Sequence, residues 1–290
     1  MGEAVKKGSM VTIERAMKDL PPLPMAVSKI IQLTNSANSS AGEIDKVISS
    51  DQALSTKVLR VVNTPYFGLS GQVSSISQAI IILGFDQVRN LVLSLSSAKL
   101  FEAKTPESKQ IQFALWKHAF ATATAAQLLG RAKRLDPKDQ DFVFSSGLLS
   151  NIGALFLASQ FNRPYGALFK SYTDGQAILS SLEDKTFGAN HAEIGQQLCA
   201  AWKLPHDLAL LVGRHEGPFA ADPIPTLFVV HAADRLARLL CLDQSFTTEG
   251  CSIDAEVFKW LRLSEKDLEE ILSQTKVKLE EVAELLGLFA

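Results

Sequence analysis

Five imidazoles and one carboxylate in apolar surroundings are the side chains of this sequence that are best suited to chemistry. The imidazoles belong to His118, His191, His206, His215 and His231. The carboxylate, Asp234, lies three residues after the last of them in the apolar stretch TLFVVHAADRLARLL. Neutral imidazoles and carboxylates together hold divalent cations, offset their charge and can leave a position open for an activated water. These residue types therefore indicate metal-dependent hydrolysis as the chemistry to test.

A second polar feature, the pair Ser150 and Asn151, interrupts the apolar stretch SSGLLSNIGALFL at 145–157. An unpaired buried polar group costs roughly 1–3 kcal/mol, so the pair predicts hydrogen-bond partners or a cavity. A hydroxyl and an amide are weak ligands for a transition metal, and neither supplies negative charge or bridges two ions as a carboxylate does.

The elements that must position these side chains are helical by pattern nearly throughout. Capping residues predict helix starts at Ser40, Asp51, Ser75 and Ser264. Other helices are predicted near 110–133, 139–160, 164–173, 176–187, 191–202, 206–216, 225–241 and 254–260. The sequence contains no convincing alternating strand and no repeat at a fixed period. The predicted fold class is all-α.

The polar stretch EAKTPESKQ at 102–110 is the best candidate for a boundary between two helical lobes. We expect a disordered N-terminus or expression remnant at 1–13, an N-terminal lobe at 14–101, a second lobe at 108–241 and C-terminal helices at 254–290 that pack on the domain. In the last helix, apolar residues line one side and acidic residues the other, which favours docking on its own domain. Binding of a partner or dimerisation is the alternative.

Composition argues against nucleic-acid-binding, membrane-spanning and secreted proteins. The chain of 290 residues is 47% hydrophobic and carries a net charge of −2 without a strong basic patch, which argues against a nucleic-acid partner. No apolar run reaches the ~18 residues of a membrane span, and MGEAVKKGSM lacks an apolar signal core. Cys199, Cys241 and Cys251 form no CxxC pair, so free thiols in a reducing cytoplasm are expected.

The order His118, Ser150–Asn151, His191, His215, Asp234 resembles that of the HD superfamily of metal-dependent phosphohydrolases. In that superfamily a His, an adjacent His-Asp pair and a distant Asp meet inside a helical bundle. GLLSNIG is similar to its Gly-Leu-Leu-His-Asp-Ile-Gly, with Ser in place of His and Asn in place of Asp.

Longer stretches resemble the HDOD domain, the HD-related output domain of bacterial signalling proteins. They include LPPLPMAVSKIIQL, SSISQAIIILGFDQVRNLVLSLS and HAEIGQQLCAAWKLPHDLALLVGRHEG, and the resemblance covers about residues 14–240. It implies a two-lobed helical bundle with an HD-like second lobe, packed as one unit over 14–290. Because the chain is too short to carry a receiver or cyclic-dinucleotide domain as well, we expect a stand-alone module or an excised piece.

The resemblance leaves two functional interpretations. Only His118 and Asp234 of the central quartet remain, and two protein ligands rarely hold a metal, so no catalytic residue, metal or other cofactor is expected. The alternative is a phosphohydrolase or phosphodiesterase whose reduced site, His118 and Asp234, binds Mn, Fe, Mg or Ni. The residues expected to line a vestigial pocket are His118, Ser150, Asn151, His191, His215 and Asp234.

Each histidine also has a structural interpretation. His118 is expected to be a core histidine satisfied by a backbone carbonyl or a neighbouring polar group, in preference to a metal ligand. His191 follows the predicted cap Asn190 and is expected to be exposed. His215 lies near a helix end where a cation is favoured, and His206 is expected to face solvent.

Partners of the buried carboxylates are also predicted. His231 and Asp234 share a helix face and could hydrogen-bond. The resemblance suggests His118 as the partner of Asp234, whereas Arg235 and Arg238 are local alternatives.

Two further features have two interpretations each. By resemblance, Glu183 could pair with a basic group across the lobe interface, and the alternative is a solvated helix face. The loop NTPYFG at 63–68 could be a contact surface or could pack between the lobes.

The sequence thus predicts a non-catalytic signal-transduction module in the cytoplasm. It would act through contact with other signalling proteins, or through a nucleotide or small anion held in the vestigial pocket or between the lobes.

Overall fold

The computed structural model describes residues 13, 15–18, 20, 23–34, 40–64, 67, 69, 71–103, 105–174, 177–219, 223–242 and 252–281. All regular structure within these ranges is helical, which confirms the all-α fold class. The expected N-terminal segment 1–13 lies, except for its last residue, outside the described residues.

In the described part of the N-terminal lobe, residues 15–18 are helical and five longer helices follow. They are α1 (Met25–Thr34), α2 (Ala41–Ser49), α3 (Gln52–Val62), α4 (Ile76–Leu83) and α5 (Phe85–Leu100). The predicted caps are present, because Ser40, Asp51 and Ser75 each accept a hydrogen bond from a backbone N–H in the first turn of their helix. These caps satisfy N–H groups that a helix cannot satisfy by itself.

The second lobe is built around one long helix, and nine further helices follow it to the end of the described residues. In chain order they are α6 (Pro106–Ala132), α7 (Pro137–Leu149), α8 (Ile152–Gln160), α9 (Asn162–Thr173), α10 (Leu179–Phe187), α11 (His191–Ala201), α12 (His206–Arg214), α13 (Pro225–Leu242), α14 (Ala255–Leu261) and α15 (Glu265–Glu281). Helices α7 and α13 pack along α6, and α11 packs against α8 and α12.

The single helix predicted at 139–160 is wrong, because α7 and α8 are separated by a turn at Ser150 and Asn151. Ser150 Oγ donates to the carbonyl of Gly147 at 2.8 Å, and Asn151 has the non-helical angles φ −96° and ψ 16°. Side chains of this type offer the backbone an alternative to continued helix.

Two glycines of this segment allow close helix contacts. A Cβ at Gly147 would lie 2.8 Å from the Cα of Ala123 on α6. A Cβ at Gly153 would lie 2.0 Å from the carbonyl oxygen of His191 on α11. Because real Cβ atoms do not approach so closely, these positions require glycine, and they fix how α7 and α8 lie against their neighbours.

One hydrophobic core continues through both lobes. Phe101, at the end of the first lobe, packs against Phe156 and Trp202 of the second, with ring centroids 5.9 and 6.2 Å apart. Phe67 lies against Phe144 at 6.2 Å, so packing explains this aromatic residue of the loop NTPYFG. Pro65, Tyr66 and Gly68 lie outside the described residues. The residue bounds of the two lobes stay predictions.

The last helix docks on the domain. Leu268, Ile271 and Leu279 of α15 are buried, and the helix packs on α6. Residues 282–290 of the C-terminal helices expected at 254–290 lie outside the described residues.

By length and composition, one stretch of the described residues, 137–160, could cross a membrane, but 89% of its most apolar window is buried inside the fold. These apolar side chains pack in the protein core, as those of a core helix do in a soluble protein.

Candidate functional site: a buried network of ion pairs

The centre of the second lobe holds a carboxylate that is bound on both oxygens. Asp234 is fully buried on α13, and its Oδ1 lies 2.8 Å from Nε2 of His118 on α6. Its Oδ2 lies 2.9 Å from Nε of Arg238 and 3.4 Å from Nη1 of Arg235. Both sets of predicted partners are therefore present. His118 is buried and paired, as expected for a core histidine.

The charges of this centre compensate each other. Burial by itself would raise the pKa of the Asp234 carboxyl, but Arg238 and His118 outweigh it and hold that pKa well below its ordinary value. A carboxylate accepts hydrogen bonds only, so Nε2 of His118 carries the proton of the bond between them. The centre is thus an ionised carboxylate neutralised by guanidinium groups.

The two arginines link Asp234 to a second carboxylate, Glu216. Nη2 of Arg235 lies 2.8 Å from Glu216 Oε2, and Nη2 of Arg238 contacts Oε1. Burial opposes ionisation of Glu216, but Arg238, Arg235 and His191 together lower the pKa of its carboxyl well below the ordinary value. Sequence reasoning missed Glu216, although it directly follows His215 in the quoted motif that ends in RHEG.

His191 is not exposed, so its predicted position is wrong. Asn190 does cap α11, but the imidazole of His191 is fully buried, and its Nδ1 lies 2.6 Å from Glu183 Oε2. The same carboxylate oxygen accepts the backbone N–H of His191 at 2.8 Å, and Oε1 accepts the hydroxyl of Tyr165 at 2.8 Å. Burial would lower the pKa of His191, but Glu183 and then Glu216 raise it to about 10.

Both predicted environments of Glu183 are wrong. It is fully buried, not on a solvated face, and its described partners Tyr165 and His191 all belong to the second lobe. It bonds the histidine that begins the next helix, and this contact brings α10 and α11 together.

His215 and His231 also differ from their predicted states. Nδ1 of His215 donates to the carbonyl of Val212 at 2.7 Å, and burial lowers the pKa of His215, so a neutral ring replaces the expected cation. Nδ1 of His231 donates to the carbonyl of His215 at 2.8 Å, and Nε2 accepts the backbone N–H of Asp254 at 3.1 Å. His231 therefore does not bond to Asp234, the partner suggested by their shared helix face. Burial, followed by Arg235, lowers the pKa of His231 to about 4. His206 is 89% exposed, as predicted.

Three donor atoms outside the His118–Asp234 pair lie close enough to one another to hold a cation. The ligand atoms of His191, His215 and Glu216 lie within 4.8 Å of one another. The Nε2 atoms of both histidines are buried without a hydrogen bond, although His191 Nε2 approaches Glu216 Oε1 at 3.4 Å. The ring centroids are 5.4 Å apart.

Ser150 and Asn151 lie beside this network but bond mainly to each other and to their own turn. The amide Nδ2 of Asn151 approaches Ser150 Oγ at 3.4 Å, which is long for a hydrogen bond. Asn151 lines a cavity of about 100 Å³ together with His118 and Arg238. The network therefore brings together His118 with Asp234 and His191 with His215, whereas Ser150 bonds to the carbonyl of Gly147 and contacts Asn151. Their role as a functional pocket stays a prediction.

The chain is similar to known proteins in both sequence and fold. A family model described as HDOD domain matches residues 20–218. A protein of Treponema pallidum (strain Nichols), described as uncharacterized, is 28% identical over 234 residues. The match covers 79% of this chain and 44% of that protein, so the chain spans less than half the length of this relative.

Solved structures share the fold. An HDOD domain protein of unknown function from Geobacter sulfurreducens aligns with a TM-score of 0.69 at 22% identity, over 98% of this chain and 99% of that one. A candidate phosphohydrolase from Shewanella amazonensis SB2B gives 0.70 at 21% identity, over 94% and 97%. A candidate signal transduction protein from Marinobacter aquaeolei VT8 gives 0.69 at 21% identity, over 100% and 66%.

Proposed function

Because this chain belongs to the HDOD domain family, which is related to metal-dependent phosphohydrolases, and because arginines neutralise its buried centre, we propose that it is a non-catalytic regulatory module. It acts by binding signalling proteins or a small ligand. The free thiols of Cys199 and Cys241 support a reducing, cytoplasmic location.

One observation carries the proposal: both oxygens of Asp234 are bound by protein groups, Oδ1 by the imidazole of His118 and Oδ2 by the guanidinium group of Arg238. The related hydrolases imply a divalent ion at this centre, and the residues present do not fit one. Ser150 and Asn151 are neutral, and Arg238 lies against both Asp234 and Glu216, supplying the positive charge that a metal would otherwise provide. An ion there would have to displace a guanidinium group from a buried pair.

A second candidate function is a hydrolase with its metal at His191, His215 and Glu216. The observation that favours it is the pair of unbonded Nε2 atoms, because Nδ1 of each ring is held by an acceptor, as is usual for metal-binding histidines. Against it, both oxygens of Glu216 contact arginines. Glu183 and Glu216 also raise the pKa of His191 and so favour the doubly protonated ring, and a metal ion would have to displace the proton from Nε2.

A groove between the lobes supports the protein-binding part of the proposal. It encloses about 590 Å³ where the turn before α5, α7 and α12 meet, and it includes the partly exposed Phe85 and Ile224. Among the described residues that line it, four are carboxylates and two, Arg89 and Lys138, are basic. The carboxylates are those of Asp86, Asp139, Asp141 and Asp207. An acidic groove with apolar residues fits a protein segment that presents lysine or arginine beside apolar side chains.

Elemental analysis and a hydrolysis assay test the proposal together. The protein is purified, incubated separately with Mn²⁺, Fe²⁺, Zn²⁺ and Ni²⁺, desalted, and then assayed on bis-p-nitrophenyl phosphate. We expect metal well below one ion per chain and no turnover above the rate without protein. One bound ion per chain that is lost in His191→Ala, accompanied by hydrolysis, would replace the proposal with the second candidate.

A further inference from the structure

The cavity beside Asn151 is a pocket with its own chemistry. It lies between α6, the turn before α8, α9 and α13, and it has a volume of about 100 Å³. Its lining combines the polar side chains of Lys117, His118, Asn151 and Tyr172 with apolar ones such as Phe169. Pockets for small molecules typically pair an apolar wall with a few converging polar groups.

The charged side chains among the described residues that line this cavity are basic. Lys117 and Arg238 lie there beside the imidazole of His118, and none of the described lining residues is a carboxylate. The nearest carboxylate of the network, Asp234, is already bound by His118 and Arg238. Lys117 takes part in no ion pair of the described residues. Lys117 is half-buried, and a lysine that lines a cavity without a counter-charge attracts an anion.

Two nearly buried polar side chains in the lining lack good partners in the protein. Asn151 is 3% exposed, and its one hydrogen bond is the long contact with Ser150. Tyr172 is 9% exposed, and its hydroxyl bonds to none of the described residues. Neither side chain is among those with a fully buried atom that lacks a bond, so both polar groups are open to the cavity, where water or a ligand that accepts hydrogen bonds can bind them.

We propose that this cavity binds a small organic anion, a carboxylate or a phosphate monoester with a compact apolar part. Lys117, Asn151 and Tyr172 donate to the anionic oxygens, and the apolar part lies against Phe169. The small volume of the cavity matches a compact anion. The inference rests on the proposed function, since it supplies the ligand of a binding module that does not turn its ligand over.

Binding of two probes tests the inference. Benzoate and phenyl phosphate are titrated into the full chain by calorimetry, with benzamide as the uncharged control and a cyclic dinucleotide as the oversized one. We expect saturable binding of at least one anion and none of either control. Preference between the two anions distinguishes carboxylate from phosphate. Equal binding of benzamide, or no saturable binding of either anion, would overturn the inference.

Variants locate the site. Lys117→Met should weaken anion binding by about tenfold or more, as expected for loss of a charge-assisted hydrogen bond. Lys170→Met, an exposed lysine on α9 that does not line the cavity, should leave binding unchanged. Binding unaffected by Lys117→Met would place the anion elsewhere and refute the assignment.

A measurement on the unmodified chain avoids dependence on variants that fold poorly. Cys241 lines the cavity and Cys199 does not. Bound anion should slow alkylation of Cys241 by iodoacetamide, followed by mass spectrometry, and should leave Cys199 unchanged. Equal rates with and without a saturating anion would refute the site. Hydrolysis of phenyl phosphate would refute the proposed function, whereas the benzoate data would still test the inference.

Discussion

Arg238 holds Asp234 from one turn away on the same helix, with Nε 2.9 Å from Oδ2, and reaches with its other end to Glu216 on the neighbouring segment. The guanidinium group thus bridges two buried carboxylates that are 18 residues apart in sequence. Breaking a buried pair leaves an uncompensated charge, which is costly even where the pair itself adds little.

Arg238→Met should therefore lower the free energy of unfolding by about 3–5 kcal/mol. The measurement is urea denaturation followed by circular dichroism. Arg131→Met, which alters an exposed arginine on α6, should change stability by less than about 0.5 kcal/mol. If both variants were equally stable, Arg238 would not neutralise the centre, and the argument against a metal would fail.

The Glu183–His191 pair predicts a pH dependence of stability. An unfolded histidine titrates near pH 6.5, whereas the folded pKa of His191 is about 10. The stabilisation is fully present below pH 6.5 and is lost as the pH rises toward 10, because over this window the folded state holds a proton that the unfolded state has released. The loss is at most about 1.4 kcal/mol per pH unit.

Glu183→Gln should flatten this slope between pH 7 and 9, because it removes the main group that raises the pKa of His191. The comparison is the unfolding free energy of both proteins at several pH values in that window. Glu269→Gln, at an exposed position, is the matched control and should keep the slope of the unmodified protein. A slope unchanged in Glu183→Gln would show that His191 is not protonated by this pair.

Gly153 of the motif GLLSNIG allows α8 to lie close against α11. A Cβ there would lie 2.0 Å from the carbonyl oxygen of His191, so Gly153→Ala must push α8 and α11 apart. We expect a loss of roughly 3 kcal/mol of unfolding free energy, measured by chemical denaturation. Gly42→Ala on α2, where a Cβ meets nothing within 4 Å, should instead be neutral or stabilising.

Helices and caps could be predicted from the sequence because their causes are local. Asn190 caps α11 as predicted, since a cap depends on residues within one turn. The burial of His191 could not be predicted from the same residues, because it depends on Glu183, which belongs to another helix. A capping signal indicates where a helix begins and contains no information about which side faces the core.

The site was predictable only in part, for the same reason. Pairing of His118 with Asp234 followed from the resemblance, and Arg238 followed from its spacing on the helix. Glu216 was missed because its partners come from a helix 19 and 22 residues further along the chain. Its only signal was its position next to His215. Periodicity in a single sequence contains no information on such long-range pairs.

The groove between the lobes predicts where a partner binds. Phe85 is 36% exposed and lines the groove, whereas Phe113 is 38% exposed and does not, so the two residues form a matched pair. Burying an aromatic side chain at an interface contributes strongly to affinity, and a carboxylate in its place would add to an already acidic surface. Phe85→Glu should therefore weaken the affinity of the chain for a basic protein partner by about tenfold or more, whereas Phe113→Glu should change that affinity little.

The measurement starts with cross-linking of the tagged chain in its native cells and identification of the linked peptides. The partner is then purified, and its affinity for the three chains is measured by calorimetry at two salt concentrations. Because the proposed contact is electrostatic in part, binding to the unmodified chain should also weaken as salt increases. Equal affinity of Phe85→Glu and the unmodified chain, or a second copy of this chain as the linked partner, would show that the groove does not serve the proposed contact.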